Sequence, residues 1–135
     1  MNDKAKNLGA KNSNFVTPDG YDDPNQYTTA NDLSVIAHEF INSQELYKIS
    51  GSRSIYSKWS SGQEITYYNT NELLDPDSEF FYKNATGLKT GTSDNAGYCL
   101  VSSAVINDKT YICVVMNSTQ SGRWIDTISL LEAIK

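Results

Sequence analysis

The run Gly87-Leu88-Lys89-Thr90-Gly91-Thr92-Ser93-Asp94-Asn95-Ala96-Gly97-Tyr98 decides how the rest of this chain is read. Residues 86 to 92 have strand character. Ser93 to Gly97 are turn formers, and the apolar segment CLVSSAVI follows. Asn107-Asp108 then suits a two-residue hairpin turn, after which comes TYICVVM. The pattern predicts three antiparallel strands at about 86–92, 97–106 and 109–116. The last two are almost continuously apolar, which points to a sheet covered on both faces. A turn at Asn107-Asp108 pairs positions whose numbers sum to about 215. Cys99 then faces Met116, and Cys113 faces Ser102. Alternation places the two sulfurs on opposite sides of the sheet, so both are expected as free thiols.

Working outward, MNDKAKNL (1–8) reads as a helix end closed by Gly9. Residues 10–27 are rich in Asn, Asp, Pro and Gly and read as a loop. Thr28 or Thr29 caps a helix whose apolar face is Leu33, Ile36, Ala37, Phe40 and Ile41. A short helix at about 44–49 ends at Gly51. Residues 54–59 and 64–68 read as a hairpin turning at Ser60-Ser61-Gly62. Residues 69–74 are a turn or short helix. Ser121 is expected to cap a last helix with the apolar stripe Ile125, Ile128, Leu130, Leu131 and Ile134. The expected fold class is α+β, in a single domain spanning 1–135, which the resemblance set out below implies is a partial one.

The 135 residues carry a net charge of -5. That disfavours nucleic acid and anionic membranes as partners. No apolar run approaches the roughly 18 residues of a membrane span, and no signal peptide opens the chain. Two cysteines and one histidine, His38, give no metal motif, and no metal or other cofactor is expected. His38 in mid-helix reads as a surface residue. Asp19, Asp22 and Asp23 lack the spacing of a calcium loop and read as turn chemistry.

Lys89-Thr90-Gly91 is one of three signatures of penicillin-binding proteins and serine β-lactamases. Other segments agree in order. Met1-Asn2 through Leu8-Gly9 resembles an "MNxKAxxLG" helix end. Gly20 to Pro24, Tyr27 to Asp32, and Asn69-Thr70-Asn71 with Leu73-Leu74 also match, as do Ala96-Gly97-Tyr98 and Gly122-Arg123. The chain resembles the C-terminal half of the catalytic domain of D-alanyl-D-alanine carboxypeptidases, the low-molecular-mass penicillin-binding proteins. The resemblance implies a partial β-lactamase/transpeptidase-like fold: a three-stranded antiparallel sheet with flanking helices, plus a small hairpin. The family's other two motifs, Ser-x-x-Lys and Ser-x-Asn, precede the matching segment. No serine here has a lysine three residues later. Ser93-Asp94-Asn95 spells the second motif literally, but directly after K-T-G, in a turn. Tyr67-Tyr68-Asn69 and Tyr82-Lys83-Asn84 imitate a variant of it. All three read as decoys.

The resemblance implies these roles. Lys89 places an ammonium near the substrate carboxylate, the alternative being an exposed strand lysine. Thr90 donates a hydroxyl to that carboxylate. Gly91 lets a peptide lie close along the strand. The backbone N–H of Thr92 is an oxyanion donor. Arg123 forks onto the same carboxylate, the alternative being a surface arginine. The implied partners are peptidoglycan stem peptides ending in D-Ala-D-Ala, and β-lactams in the full-length enzyme. The implied activity is that of a serine-type carboxypeptidase working through an acyl-enzyme, outside the cytoplasm at the cell envelope. The chain alone is expected to be inactive. A non-catalytic product or a peptidoglycan-peptide-binding module stays open beside it. Two strands of the family's five-stranded sheet are also absent, so strand 109–116 is expected to be an unprotected edge and the chain a homo-oligomer or swapped dimer.

Overall fold

The structure, a computed structural model, describes residues 1–134. Helix α1 (Asn2–Leu8) ends at Gly9, whose φ of 101° is the left-handed conformation that lets the helix stop there. After the loop, α2 (Ala30–Ile41) begins at Thr29, whose hydroxyl accepts the Asp32 N–H. Helix α3 is Gln44–Ser50. A hairpin of β1 (Ser54–Lys58) and β2 (Glu64–Tyr68) stands apart from the main sheet. A 3₁₀ turn (Glu72–Leu74) leads into β3 (Ala85–Ser93), β4 (Gly97–Ile106), β5 (Lys109–Ser118) and α4 (Gly122–Glu132). The three-stranded sheet is antiparallel in the order β3-β4-β5. The expected fold class therefore holds.

The β4–β5 turn is Asn107-Asp108, both at positive φ (50° and 60°), as a two-residue turn of the I′ kind demands. Register follows the sequence expectation from Ile106–Lys109 to Leu100–Val115. It then slips by one, so that Tyr98 faces Ser118. Cys99 sits at this irregularity, not in a regular pair with Met116. Cys113 does face Ser102, and both cysteines are free.

Leu100, Ala104 and Ile106 of β4 and Cys113 and Val115 of β5 meet Trp124 and Leu131 of α4, with Leu73 and Tyr82 closing the core. The other sheet face looks toward α2 and α3. The last helix differs from expectation in two ways. Ser121 is already helical in backbone and makes no side-chain cap; Thr119 Oγ1 accepts the Gly122 N–H instead. The inward stripe is Trp124, Thr127 and Leu131, with Ile128 and Ile134 partly buried against the core as expected, whereas Ile125 and Leu130 are each 53% exposed. The stripe is rotated because Trp124 contributes the largest apolar surface and takes the inward position.

Candidate functional site

Strand β3 is an edge strand, so half of its backbone groups face no protein strand. Which half follows from the hairpin. Ile106 and Lys109 close a two-residue turn and are therefore a hydrogen-bonded pair. Even-numbered β4 residues then turn their backbone groups to β5, and odd-numbered ones to β3. The Val105 N–H, which donates to Asn84 O at 2.9 Å, agrees. In the pairing Lys89–Val101 and Gly91–Cys99, residues 89 and 91 thus face inward. Thr90 and Thr92 direct their N–H and C=O groups to the free edge.

The side chains sort by the same alternation. Thr90 and Thr92 pair with Leu100 and Tyr98 and share the face on which α4 packs. Lys89 and Gly91 lie on the opposite face. The Lys89 ammonium folds back over the edge, donating to Thr90 O at 2.8 Å and lying 3.5 Å from Thr90 Oγ1. Gly91 is exposed, and a Cβ there would meet only Cys99 Cβ at 3.8 Å. The sheet itself therefore has room for a side chain at this position.

Arg123 reaches this edge from the first turn of α4, directly after Gly122. A Cβ at Gly122 would lie 2.5 Å from both Ser118 Oγ and Thr119 Oγ1, so a side chain there would displace the Thr119 hydroxyl from the Gly122 N–H and the Ser118 hydroxyl from Asp126. The Arg123 guanidinium lies over the rings of Trp124 (4.3 Å) and Tyr98 (5.2 Å). Its Nη1 donates to Thr92 Oγ1 at 3.1 Å. Lys89 and Thr90 are thus together, and Arg123 stands one residue pair further along the face that carries Thr90.

One neighbour went unnoticed in the sequence reading. Thr70 and Thr90 share a hydrogen bond between their hydroxyls, 2.6 Å apart. The surrounding motif explains its position. Asn69 Nδ2 donates to the carbonyls of Ser50 and Ser52, and its Oδ1 accepts the Asn71 N–H. Buried Asn71 accepts the Leu73 N–H. The two asparagines nail the segment down, and Thr70 projects from between them. The signal lies in Asn69-Thr70-Asn71, where two turn-forming asparagines flank the threonine.

A groove of about 530 Å³ opens on the Lys89 face of the sheet. Leu33, Ile36, Phe40, Ile49, Ile55 and Leu88 line it, with Lys89 and Thr70 also on its wall. His38 is exposed on α2. Ser93 ends β3, and Asp94 and Asn95 lie in the turn between β3 and β4.

Residues 1–120 match the model of the D-alanyl-D-alanine carboxypeptidase family of peptidases. The chain belongs to that family. Among carboxypeptidase relatives, DacA of Haemophilus influenzae is 38% identical over 135 residues, covering 98% of this chain and 32% of the relative. DacF of Bacillus subtilis is 33% identical over 119 residues, covering 88% and 29%. Among solved structures, the DD-transpeptidase of Streptomyces K15 superposes with a TM-score of 0.87 at 32% identity, over 98% of this chain and 51% of that one. Penicillin-binding protein D2 of Listeria monocytogenes, in its cefotaxime-bound form, gives 0.81 at 28%, over 98% and 52%. This carboxypeptidase-family chain therefore spans about a third of those relatives and about half of those structures.

Proposed function

We propose that these residues form the substrate-binding half of a serine-type D-Ala-D-Ala carboxypeptidase that trims the terminal D-alanine of peptidoglycan stem peptides. The observation that carries this reading is the free β3 edge, with the backbone of Thr90 and Thr92 turned outward between two cations. A peptide added antiparallel to β3 has its C-terminus at the Lys89–Thr90 end. Its carboxylate meets the Lys89 ammonium and the Thr90 hydroxyl, and Arg123 adds a planar donor fork on the Thr90 face. Gly91 allows close approach, and the Thr92 N–H donates to the oxygen of the scissile carbonyl as charge develops there. The nucleophile is a serine outside these residues, since none here has a lysine three positions on. In the whole enzyme β-lactams occupy this same edge; that the family relative penicillin-binding protein D2 binds cefotaxime supports β-lactams as ligands. The whole enzyme works on the extracytoplasmic side of the envelope, where its substrate is. The apolar groove beside Lys89 is the seat of the rest of the domain.

A second reading keeps the binding and drops the turnover: a peptidoglycan-peptide-binding module. The groups that this binding asks for, Lys89, Thr90, Thr92 and Arg123, all lie within these residues, and that favours it.

Titration of the chain with an N-acetylated peptide ending in D-Ala-D-Ala, and with its C-terminal amide, tests the binding reading. The acid should bind and the amide bind markedly less; equal binding of both, or none, defeats it. Intact-mass analysis after incubation with a β-lactam addresses the nucleophile. No adduct is expected, and a stoichiometric adduct on any serine, Ser93 included, would place the nucleophile within this chain.

A further inference from the structure

The catalytic reading leaves Ser93-Asp94-Asn95 without a task, yet both polar ends of this triplet grip the same distant carboxylate. Ser93 Oγ donates to Asp22 Oδ1 at 2.7 Å, and Asn95 Nδ2 donates to Asp22 Oδ2 at 3.1 Å. Ser93 Oγ also accepts the Ala96 N–H at 3.1 Å, which sets the shape of the turn. Both contacts with Asp22 are charge-assisted, the stronger class of hydrogen bond.

The loop that brings Asp22 arrives already shaped. Asn14 and Tyr27 pair across its base. Gln26 Oε1 accepts the N–H groups of Val16 and Thr17, and its Nε2 donates to Tyr21 O. Asp22 therefore ties an internally braced loop to the turn that directly follows Thr92. Thr92 is the residue whose N–H must hold one direction at the free edge.

We propose that Asp22 is a positioning residue and that Ser93 and Asn95 are its sockets. Together they fix the turn after Thr92 and so the pose of the Thr92 N–H. The consequence for substrate rests on the binding reading above. A peptide whose C-terminus lies at Lys89–Thr90 runs its upstream residues past Thr92 toward Ser93, so the clamp sets the geometry where the acyl portion lies.

A donor–acceptor swap tests this. Asp22→Leu alone leaves the Ser93 hydroxyl and the Asn95 amide without their acceptor, and Asn95→Asp alone sets two carboxylates face to face; Asp22→Asn is the matching change in a double variant, Asp22→Asn with Asn95→Asp. The double variant restores one donor and one acceptor. The probes are amide exchange and chemical shift of Thr92 and Ala96 by NMR, and affinity for the N-acetylated D-Ala-D-Ala peptide. Each single variant should speed Ala96 exchange, shift the Thr92 amide, and weaken peptide binding about fivefold, the worth of roughly one hydrogen bond. The double variant should recover all three, with the melting temperature nearly constant through the series. Unchanged Ala96 and Thr92 signals in the single variants overturn the clamp. Loosened signals with unaltered peptide affinity overturn its positioning role and leave a structural brace. Failure of the double variant to recover refutes the pairing. A wild-type chain that binds no peptide counts against the binding reading alone, and the Thr92 and Ala96 signals then decide the clamp.

Discussion

The hydroxyls of Thr70 and Thr90 lie 2.6 Å apart, so the central threonine of the K-T-G strand is oriented by a residue from a segment twenty positions earlier. If Thr90 donates to a substrate carboxylate, Thr70 is the donor of this pair: its O–H points at Thr90 Oγ1 and leaves the Thr90 hydrogen for the carboxylate. Thr70→Val keeps the shape and deletes the hydroxyl. It should weaken D-Ala-D-Ala peptide binding by about three- to tenfold, the net value of a single hydrogen bond. Thr90→Val should weaken it further. Isothermal titration checks both; an unaltered affinity in Thr70→Val would make this contact incidental.

Asp32 predicts an acid-sensitive fold. Its carboxylate is fully buried at the start of α2 and accepts the Asn12 N–H at 2.6 Å and the Ser13 hydroxyl at 2.7 Å. The Ser13 hydroxyl chiefly, then the Asn12 N–H, holds its pKa below the usual 3.8, against burial, which pushes it up. A depressed folded pKa means the stabilisation is present above 3.8 and is lost as pH falls through the folded value. Melting temperature followed from about pH 6 to about pH 2 should drop at the acid end. Asp32→Asn should melt lower at neutral pH and show a flatter acid limb.

The sheet could be read from sequence because its signals were local. Asn107 and Asp108 tolerate positive φ, which fixed the turn, and the turn fixed the register as far as Leu100–Val115. Lys89, Thr90 and Gly91 could be placed on an edge because they sit in the first strand of that meander. The slip at Cys99, the role of Thr70 and the inward turn of Trp124 were not legible. Each depends on which distant surface is available, and periodicity is silent about that. A stripe of five aliphatic residues outvoted one tryptophan in the pattern, but the tryptophan won the core.

That correction has its own test. Trp124→Ala should destabilise the chain by about 3–5 kcal/mol, as expected for emptying a large buried site. Ile125→Ala, one position along and exposed, should stay within roughly 0.5 kcal/mol. Urea unfolding curves of the two variants distinguish the observed helix face from the one that sequence suggested.

The two thiols should differ in reactivity. Cys99 is half-exposed beside Gly91, and its Sγ lies 3.3 Å from Ala96 O. Cys113 is buried on the α4 face, and burial pushes its pKa up. Iodoacetamide at neutral pH should label Cys99 first, and label Cys113 only on unfolding. Intact mass in air should equal that of the reduced chain; a loss of about two hydrogens would mean a bond that the sheet separates.

Assembly is the last expectation. Among the described residues no strand pairs with the outer edge of β5, although α2 and α4 pack against that strand from either side. By the parity that turns Thr90 and Thr92 outward on β3, Thr110, Ile112, Val114 and Met116 turn their backbone groups to the open edge of β5. That edge has no proline, and no charge after Lys109, so it lacks the common protections against edge-to-edge pairing. The apolar groove beside Lys89 is equally open. The isolated chain should therefore form a homodimer or larger assembly through β5. Light scattering across a concentration series should show mass rising above 15.0 kDa. Val114→Pro removes one outward N–H and no β4–β5 hydrogen bond, so it should shift the equilibrium toward monomer while leaving the β4–β5 hairpin paired. A wild-type chain that stays monomeric at high concentration and unfolds in one sharp transition would show that the open edge protects itself.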